Sequence, residues 1–204
     1  MYSDEKIAML ERYRRQTLRA EEAEREEAAL DAREELLTLE EAIAGIEKGV
    51  LRLHAGETLE FENRVYFEEN IPVPILKNFY QASEEGEESA VFVNHDHELS
   101  QTVLWLRENI RTITMDQWAN LLVNGMARNN LFARVLKKKQ LENMEYLCYE
   151  VPSGKGWIYN VMFRMKGKDK RFTGTFNCMK KEKDTYGIVL EAMVWHMDQW
   201  FGTR

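Results

Sequence analysis

The sequence has few of the residues that cross-link or rigidify a small protein. Its 204 residues include two cysteines, Cys148 and Cys178, and three prolines, so it is not a disulfide-stapled scaffold. No stretch approaches the ~20 apolar residues that span a bilayer, and the N-terminus lacks the apolar run of a signal peptide. Hydrophobic residues still make up 44% of the chain, which is enough for a sizeable core. We therefore expect a cytoplasmic protein that does not insert into membranes.

Charge of each sign is unevenly spread along the chain. Residues 1–100 contain 25 acidic and 11 basic residues, whereas residues 101–204 contain 10 acidic and 17 basic residues. Either the two parts complement each other within one fold, or the basic part meets an acidic partner. Nucleic acid is not expected as that partner, because the acidic part would repel phosphate.

Strong helix formers dominate the first fifty residues and predict one long acidic helix without proline. Its second half carries large aliphatic residues at alternating spacings of three and four, the pattern of a coiled-coil seam. The seam consists of Leu36, Leu39, Ile43, Ile46, Val50 and Leu53. Because it covers only about two and a half heptads, we expect it to pack on the following domain or on a second copy in a homodimer. We accordingly divide the chain into this helix, residues 1–55, and an α/β domain, residues 56–204.

Alternating apolar residues after residue 56 predict an α+β fold, in which helices pack on an antiparallel sheet of about six to seven strands. The predicted strands are 59–67, 90–93, 99–106, 132–141, 144–151, 157–166 and 171–179, and helices are predicted at 115–128 and 184–201. The last four strands have short connections and should form a meander. Residues 83–88 are expected to be a loop, and Pro72 and Pro74 exclude a central strand around them.

Both faces of the predicted meander carry apolar residues, so both faces need cover. We expect the two helices of the domain to lie on one face. The opposite face carries Leu147, Tyr149, Ile158 and Met162, and either the N-terminal helix or a partner would cover it. These four residues are our predicted partner-binding surface.

The order of these elements resembles the PsbP-like α/β/α sandwich superfamily over residues 57–201. The matching features are an opening strand that leads into Ile71-Pro72-Val73-Pro74 and Phe79, the strand pair within 90–106, the helix 115–128, the meander and the terminal helix. The superfamily includes an extrinsic photosystem subunit, the periplasmic DcrB lipoproteins and the effector-associated chaperones of type VI secretion. The long acidic helix at 1–55 is not part of the superfamily's core pattern, and the lack of a lipobox cysteine and signal peptide argues against the lipoprotein members. The resemblance implies an adaptor, assembly factor or chaperone and not an enzyme.

The segment His95-Asp96-His97 is the most suggestive local cluster. In a strand both histidines would point to one side, as a metal pair requires, with His54, His196 or a carboxylate as a third ligand. No HExxH motif or second cluster accompanies them. We therefore interpret the segment as a polar hairpin turn.

Two further patterns have simple structural explanations. Cys148 and Cys178 lie within predicted strands, where a free cysteine packs as a small apolar residue. The run Lys137-Lys138-Lys139 lies on a predicted strand, and we interpret it as lysine protection of a sheet edge. A site for an anionic partner is the alternative explanation for the lysines.

The sequence thus predicts a non-catalytic, cytosolic adaptor or chaperone-like protein that binds a helical or apolar segment of a protein client. The client would be a secreted effector or a protein with membrane segments, and we expect no cofactor, metal or catalytic residue. One alternative is a structural or assembly protein that oligomerises through the N-terminal helix. The other is a metal-dependent enzyme that uses His95 and His97.

Overall fold

The computed structural model describes residues 3–28, 37–53, 56–167 and 170–202, with the backbone alone for residues 3–8 and 22–28. Within these ranges the chain is an α+β protein with four α-helices and two antiparallel sheets. The helices are α1 Ser3–Ala28, α2 Leu39–Lys48, α3 Met115–Arg128 and α4 Ile188–Gly202. The strands are β1 Val50–Arg52, β2 Thr58–Tyr66, β3 Ile71–Leu76, β4 Ala82–Glu85, β5 Ser89–Asn94, β6 Leu99–Trp105, β7 Arg134–Gln140, β8 Met144–Ser153, β9 Gly156–Met165 and β10 Phe172–Met179. None of the helices in the described ranges has the length and apolar character needed to cross a membrane.

The larger sheet has seven strands in the order β4-β5-β6-β10-β9-β8-β7, and β1, β2 and β3 form the smaller sheet in that order. The predicted hairpin of β5 and β6 and the predicted meander from β7 to β10 are confirmed, and every pair in them is antiparallel. Pairing of β6 with β10 joins these two units at the centre of the sheet. Pro72 and Pro74 lie on β3, an edge strand of the smaller sheet, where proline is tolerated.

The prediction of a loop over residues 83–88 is wrong for residues 83–85, because residues 82–85 form β4 and pair with β5 from Ala82↔Val93 to Glu85↔Ala90; residues 86–88 are the connection between these strands. All four residues of β4 are exposed. An edge strand that buries no side chain does not need alternating apolar residues, so the sequence carried no signal for it.

The prediction of one continuous N-terminal helix is also wrong. Thr38 has an extended backbone, with φ −89° and ψ 154°, and begins α2 through a capping box with Glu41. Gly49 ends α2 in the left-handed conformation, with φ 76°, and strand β1 follows at once. Within the described residues, the N-terminal region therefore consists of two helices of unequal length and a strand. The cap at Thr38 begins a new helix and the cap at Gly49 ends it, although the composition of the whole region favours helix.

The predicted seam packs within its own chain. Ile46 and Leu53 are buried in the main core, Leu39 and Ile43 are partly buried against it, and Val50 on β1 is exposed. Leu36 and His54 lie outside the described residues. Helix α2 lies against α4, and the predicted division at residue 55 falls between β1 and β2, which pair directly. A truncation at that point remains the test of the division.

Gly45 explains how α2 approaches β1 so closely. A Cβ atom at this position would lie 2.8 Å from the Cβ of Leu51, which is closer than packed carbon atoms allow. A glycine in the middle of α2 costs helix stability, and the close approach of the two backbones is what requires it.

The two helices predicted to share one face of the sheet lie on opposite faces. Helix α4 joins α2 and β3 on one face, which we call the α4 side, together with buried residues such as Phe163 and Phe176. On the other face, the α3 side, Trp118 and Ala119 of α3 pack on Leu147. Helix α1 lies against β8 and β9, and the hydroxyl of Tyr13 donates a 3.0 Å hydrogen bond to the carbonyl of Ala127, which fastens α1 to α3.

Candidate functional site

The α3 side of the sheet is divided into two halves that differ in their cover. Strands β7, β8 and β9 form the covered half, which lies beneath α1 and α3. Strands β10, β6, β5 and β4 form the open half: within the described residues, the apolar cluster beneath α3 contains no side chain from these strands. The two halves belong to one continuous hydrogen-bonded sheet, so the difference lies in the layer above the strands.

Register places the side chains of the two halves in rows that run across the sheet. One row runs Val91, Thr102, Thr175, Met162, Leu147 and Lys138, as successive antiparallel partners. Leu147 is fully buried, whereas Val91, Thr102 and Thr175 are partly exposed. Within this row Leu147, beneath α3, is the fully buried residue, whereas Met162 is partly exposed and Lys138 at the β7 edge is exposed.

The four residues predicted to bind a partner lie together on the α3 side, as expected from alternation. Leu147 and Tyr149 are buried at 0% and 5% exposure, whereas Ile158 and Met162 are partly exposed. Met162 also packs against the Trp118 cluster. The part of the predicted surface on β8 is therefore enclosed by the chain itself, and the accessible part lies on β9 and continues into the open half.

No residue of the open half is among the partner-binding residues predicted from the sequence. Its partly exposed apolar side chains alternate with buried ones along β5 and β6. They are Val91, Val93 and Leu104, accompanied by the polar Ser100, Thr102, Thr173 and Thr175. The mixture of valine and threonine was the available signal, because a face sealed beneath a helix is usually more uniformly apolar.

A buried ion pair stands at the boundary between the two halves. The Arg164 guanidinium on β9 contacts the carboxylate of Glu145 at 2.5 Å, and both side chains are more than nine-tenths buried. The guanidinium also donates to the carbonyl of Ile113 at 3.1 Å and lies 4.2 Å from the centre of the Trp118 ring. These partners fix Arg164 in place, since Arg has a rigid fork of donors that stacks readily on aromatic rings.

A cavity of about 440 Å³ opens beside Arg164, between the segment 106–111 and α3. Its walls include Arg111, Trp118, Met162 and Thr173. A smaller cavity of about 200 Å³ adjoins it and shares Arg111 and Arg164, and Glu145 lines this smaller space. Arg164 thus has its carboxylate partner on one side and the larger cavity on the other.

A second polar cluster lies on the α4 side and is enclosed. The Glu191 carboxylate accepts hydrogen bonds from the hydroxyls of Tyr146 at 2.8 Å and Tyr159 at 2.7 Å and from the Lys137 ammonium at 2.5 Å. Glu191 is 3% exposed, so its charge is satisfied internally. We interpret this cluster as a structural tie between α4 and the sheet.

Both cysteines are buried, as predicted. Burial, followed by the nearby Glu191 carboxylate, raises the pKa of the Cys148 thiol to about 12. Burial likewise raises the pKa of Cys178. A thiol with a raised pKa is a poor nucleophile at neutral pH, because the thiolate is the reactive form.

The three consecutive lysines lie on β7, which is an edge strand of the larger sheet as predicted. Lys137 binds Glu191, and the Lys138 ammonium lies 2.6 Å from the carboxylate of Asp116. Lys139 lies 5.4 Å from the centre of the Trp195 ring. Each lysine therefore has a partner in its own chain.

The prediction of a hairpin turn at His95-Asp96-His97 is confirmed, because these residues connect β5 to β6. The Asn94 side-chain oxygen accepts from the N–H groups of Asp96 and His97 and shapes the turn. His97 stacks on Phe79 with ring centres 5.1 Å apart. In the part of the chain that the structure describes, no group of three or more His, Cys, Asp or Glu side chains is arranged to hold a metal ion.

Comparison with known proteins gives no relative from which a function could be transferred. No family model matches the chain, and no curated protein matches it. The resemblance to the PsbP-like superfamily therefore stays a prediction.

Proposed function

We propose that this protein is a non-catalytic adaptor or chaperone-like protein that binds an apolar segment of a protein client on the open half of its sheet. The observation that supports this proposal is the partial exposure of Val91, Val93 and Leu104 on a sheet whose other half lies beneath helices. Apolar area that stays accessible beside a covered region is typical of an interaction surface.

The helices on the covered half indicate which kind of client segment could pack on the open half. Helix α1 lies across β8 and β9, and Ala20 on this helix is fully buried. A client helix that lies beside α1 would extend the same layer over β10 and β6, with its apolar residues towards Val91 and Leu104. The proposed client segment is therefore an amphipathic helix, in the helix-in-groove mode of recognition.

Charge at the far edge of the open half favours a client segment with basic residues. Glu84 pairs with Val91 across β4 and β5, so it lies on the same side of the sheet. Glu87 follows nearby in the connection to β5, and both glutamates are exposed. Complementary charges at the rim of an interface increase association rates and fix orientation.

Site-specific photo-crosslinking in the native host tests the proposal. A photoreactive phenylalanine analogue at Thr175 should cross-link one protein, whereas the same analogue at Lys48, which is exposed on α2, should not. A synthetic peptide of the cross-linked segment should then bind the purified chain. Val91→Glu should weaken peptide binding by about tenfold or more, because a buried unpaired charge opposes association.

The matched control for the peptide titration is Arg52→Glu, an exposed position on β1 in the smaller sheet. It should leave peptide affinity unchanged. Equal cross-linking from Thr175 and Lys48, or equal peptide affinity of Val91→Glu and the wild type, would argue against a client on the open half.

An assembly protein is the second candidate, and exposed leucines on α1 favour it. Leu10 and Leu18 are 63% and 46% exposed. The described residues of the seam, predicted to pack either on the following domain or on a second copy, lie largely against their own chain. If α1 mediates assembly, analytical ultracentrifugation should show an oligomer that Leu10→Glu together with Leu18→Glu converts to a monomer. A monomeric wild-type chain would rule out this candidate.

A further inference from the structure

We propose that the 440 Å³ cavity beside Arg164 is a binding site for a small organic anion with an aromatic or aliphatic body. The cavity lies between the segment 106–111 and α3 and is lined by Thr173 on β10 and Arg164 on β9, which are antiparallel partners. Glu145 on β8 is the partner of Arg164 on its other side. Its volume falls within the range of about 300–1,000 Å³ that is usual for small-molecule sites. This site borders the strand surface proposed to bind a client and shares Thr173 with it, but Val91, Val93 and Leu104 do not line the cavity.

Arg164 and Trp118, at the base of the cavity, are held in place by their neighbours. Such fixed side chains are typical of a preformed binding site. Arg164 is 6% exposed, and its guanidinium is held by Glu145, by the carbonyl of Ile113 and by the Trp118 ring. The Trp118 ring is itself 9% exposed and packs on Leu147. A ligand would therefore meet Arg164 and Trp118 already positioned, so these two side chains lose little conformational entropy on binding, whereas the exposed Arg111 would be ordered by the ligand.

The charge around the cavity favours an anion. Arg111 lines both cavities, and among the described residues no carboxylate lies within ion-pair distance of its guanidinium. Glu145 neutralises Arg164 from the smaller cavity, which leaves Arg111 as the cation without a carboxylate partner. An arginine fork binds carboxylates, sulfonates and phosphates through paired hydrogen bonds. Glu108 also lines the larger cavity and should weaken the attraction of an anion.

Part of the remaining lining is apolar and favours an organic body over an inorganic ion, while Arg107, Asn109 and Thr173 add polar groups. Leu106, Ile110, Met162 and the Trp118 ring line the same space. Aromatic and thioether side chains pack well against planar apolar groups. A molecule with one acidic group and an apolar body satisfies both Arg111 and these walls, whereas inorganic phosphate satisfies Arg111 alone.

The test uses the full chain and 8-anilinonaphthalene-1-sulfonate, a fluorescent aromatic sulfonate, as the probe. Titration should give one saturable site, and Arg111→Gln should weaken probe binding by about tenfold, the usual effect of removing one charge-assisted hydrogen-bonding group. Arg111→Lys should retain part of the affinity. The matched control is Arg128→Gln at the exposed end of α3, which should bind the probe as the wild type does.

Glu108→Gln should change the affinity for the probe in the opposite direction. Removal of this carboxylate should strengthen probe binding by about threefold, as expected for an exposed charge. Inorganic phosphate should displace the probe only at far higher concentrations than an aromatic carboxylate such as naphthoate. Equal affinities of Arg111→Gln and Arg128→Gln, or weaker binding by Glu108→Gln, would overturn the proposal.

Val91→Glu separates this site from the client surface. The variant changes the open half and leaves the cavity lining intact, so it should bind the probe normally even where it fails to bind a client peptide. Loss of probe binding in Val91→Glu, with retention in Arg111→Gln, would mean that the probe lies on the open half and that the cavity is not the anion site.

Discussion

The covered and open halves of the sheet use the same backbone pairing and differ in what lies above it. On the covered half, Leu147 and Tyr149 are almost completely removed from solvent, whereas Val91 and Thr175 in the adjoining strands stay partly exposed. Among the described residues, α1 and α3 pack on β7, β8 and β9. The comparison indicates that Leu147 and Tyr149 are buried by the helices above them, and the partial exposure of Val91 and Thr175 is the basis of the proposed docking surface.

The largest difference in the free energy of unfolding is expected between a variant with a new charge in the covered half and a variant with the same charge in the open half. Leu147→Asp should lower the free energy of unfolding by about 3–5 kcal/mol, because it removes packed atoms beneath Trp118 and buries an unpaired carboxylate. Val91→Asp should change it by less than about 1 kcal/mol, as is usual for accessible positions. Urea denaturation monitored by circular dichroism measures both, and equal losses would mean that the two halves are equally enclosed.

A smaller effect is expected where the two halves meet at β10. A Cβ built on Gly174 would overlap the Phe163 ring and the carbonyl oxygen of Thr102. Gly174→Ala should therefore destabilise the protein by about 1–3 kcal/mol, the range for overpacking a dense core. The urea midpoint should fall, and Thr175→Ala on the opposite face of the same strand is the control, with a change close to zero. An unchanged midpoint for Gly174→Ala would contradict the close approach of Phe163.

A still smaller effect should come from the attachment of α1, which provides part of the cover. The Tyr13 hydroxyl donates to the carbonyl of Ala127 on α3. Tyr13→Phe keeps the ring and removes this hydrogen bond, at a cost of about 0.5–1.5 kcal/mol. Hydrogen exchange should become faster in α1 and remain unchanged in β5 and β6. Faster exchange throughout the sheet would show that α1 is not a separate cover.

The α4 side is enclosed by α2, α4 and β3. A change at His196 on this side should have the smallest effect on the free energy of unfolding. Burial lowers the pKa of His196 below its ordinary value of 6.5, partly offset by Glu47. As the pH falls below 6.5, the unfolded chain takes up this proton before the folded chain does. The free energy of unfolding should therefore decrease from pH 6.5 down to the lowered pKa. His196→Gln should remove part of this decrease in urea titrations. Identical pH profiles for His196→Gln and the wild type would contradict the burial effect.

Much of the fold could be predicted from local patterns. Alternation located the strands of the meander, and the predicted helix 115–128 is confirmed as α3, which begins with a capping box of Thr114 and Gln117. The same spacing occurs at Thr38 and Glu41, and attention to it would have separated α2 from the preceding residues. Strand β4 could not be found in this way, because all four of its side chains are exposed.

The candidate site could be predicted only in part. Alternation correctly grouped Leu147 with Met162 on one face, since side chains in a strand point alternately to the two faces. It could not tell which helix would cover them, because the paths of residues 106–114 and 180–187 decide on which side α3 and α4 lie. The pairing of β6 with β10, which creates the open half, is likewise a long-range contact without a local signal.

The most direct test of the uneven cover is the labelling rate of single introduced cysteines. Cys148 and Cys178 are buried and should react slowly with a maleimide in the folded protein. Thr175→Cys should react at a rate close to that of Lys48→Cys on the exposed surface of α2, whereas Leu147→Cys should react about a hundredfold more slowly, because it requires local opening. Protection of Thr175→Cys to the level of Leu147→Cys would show that the open half is closed in solution and would contradict the account.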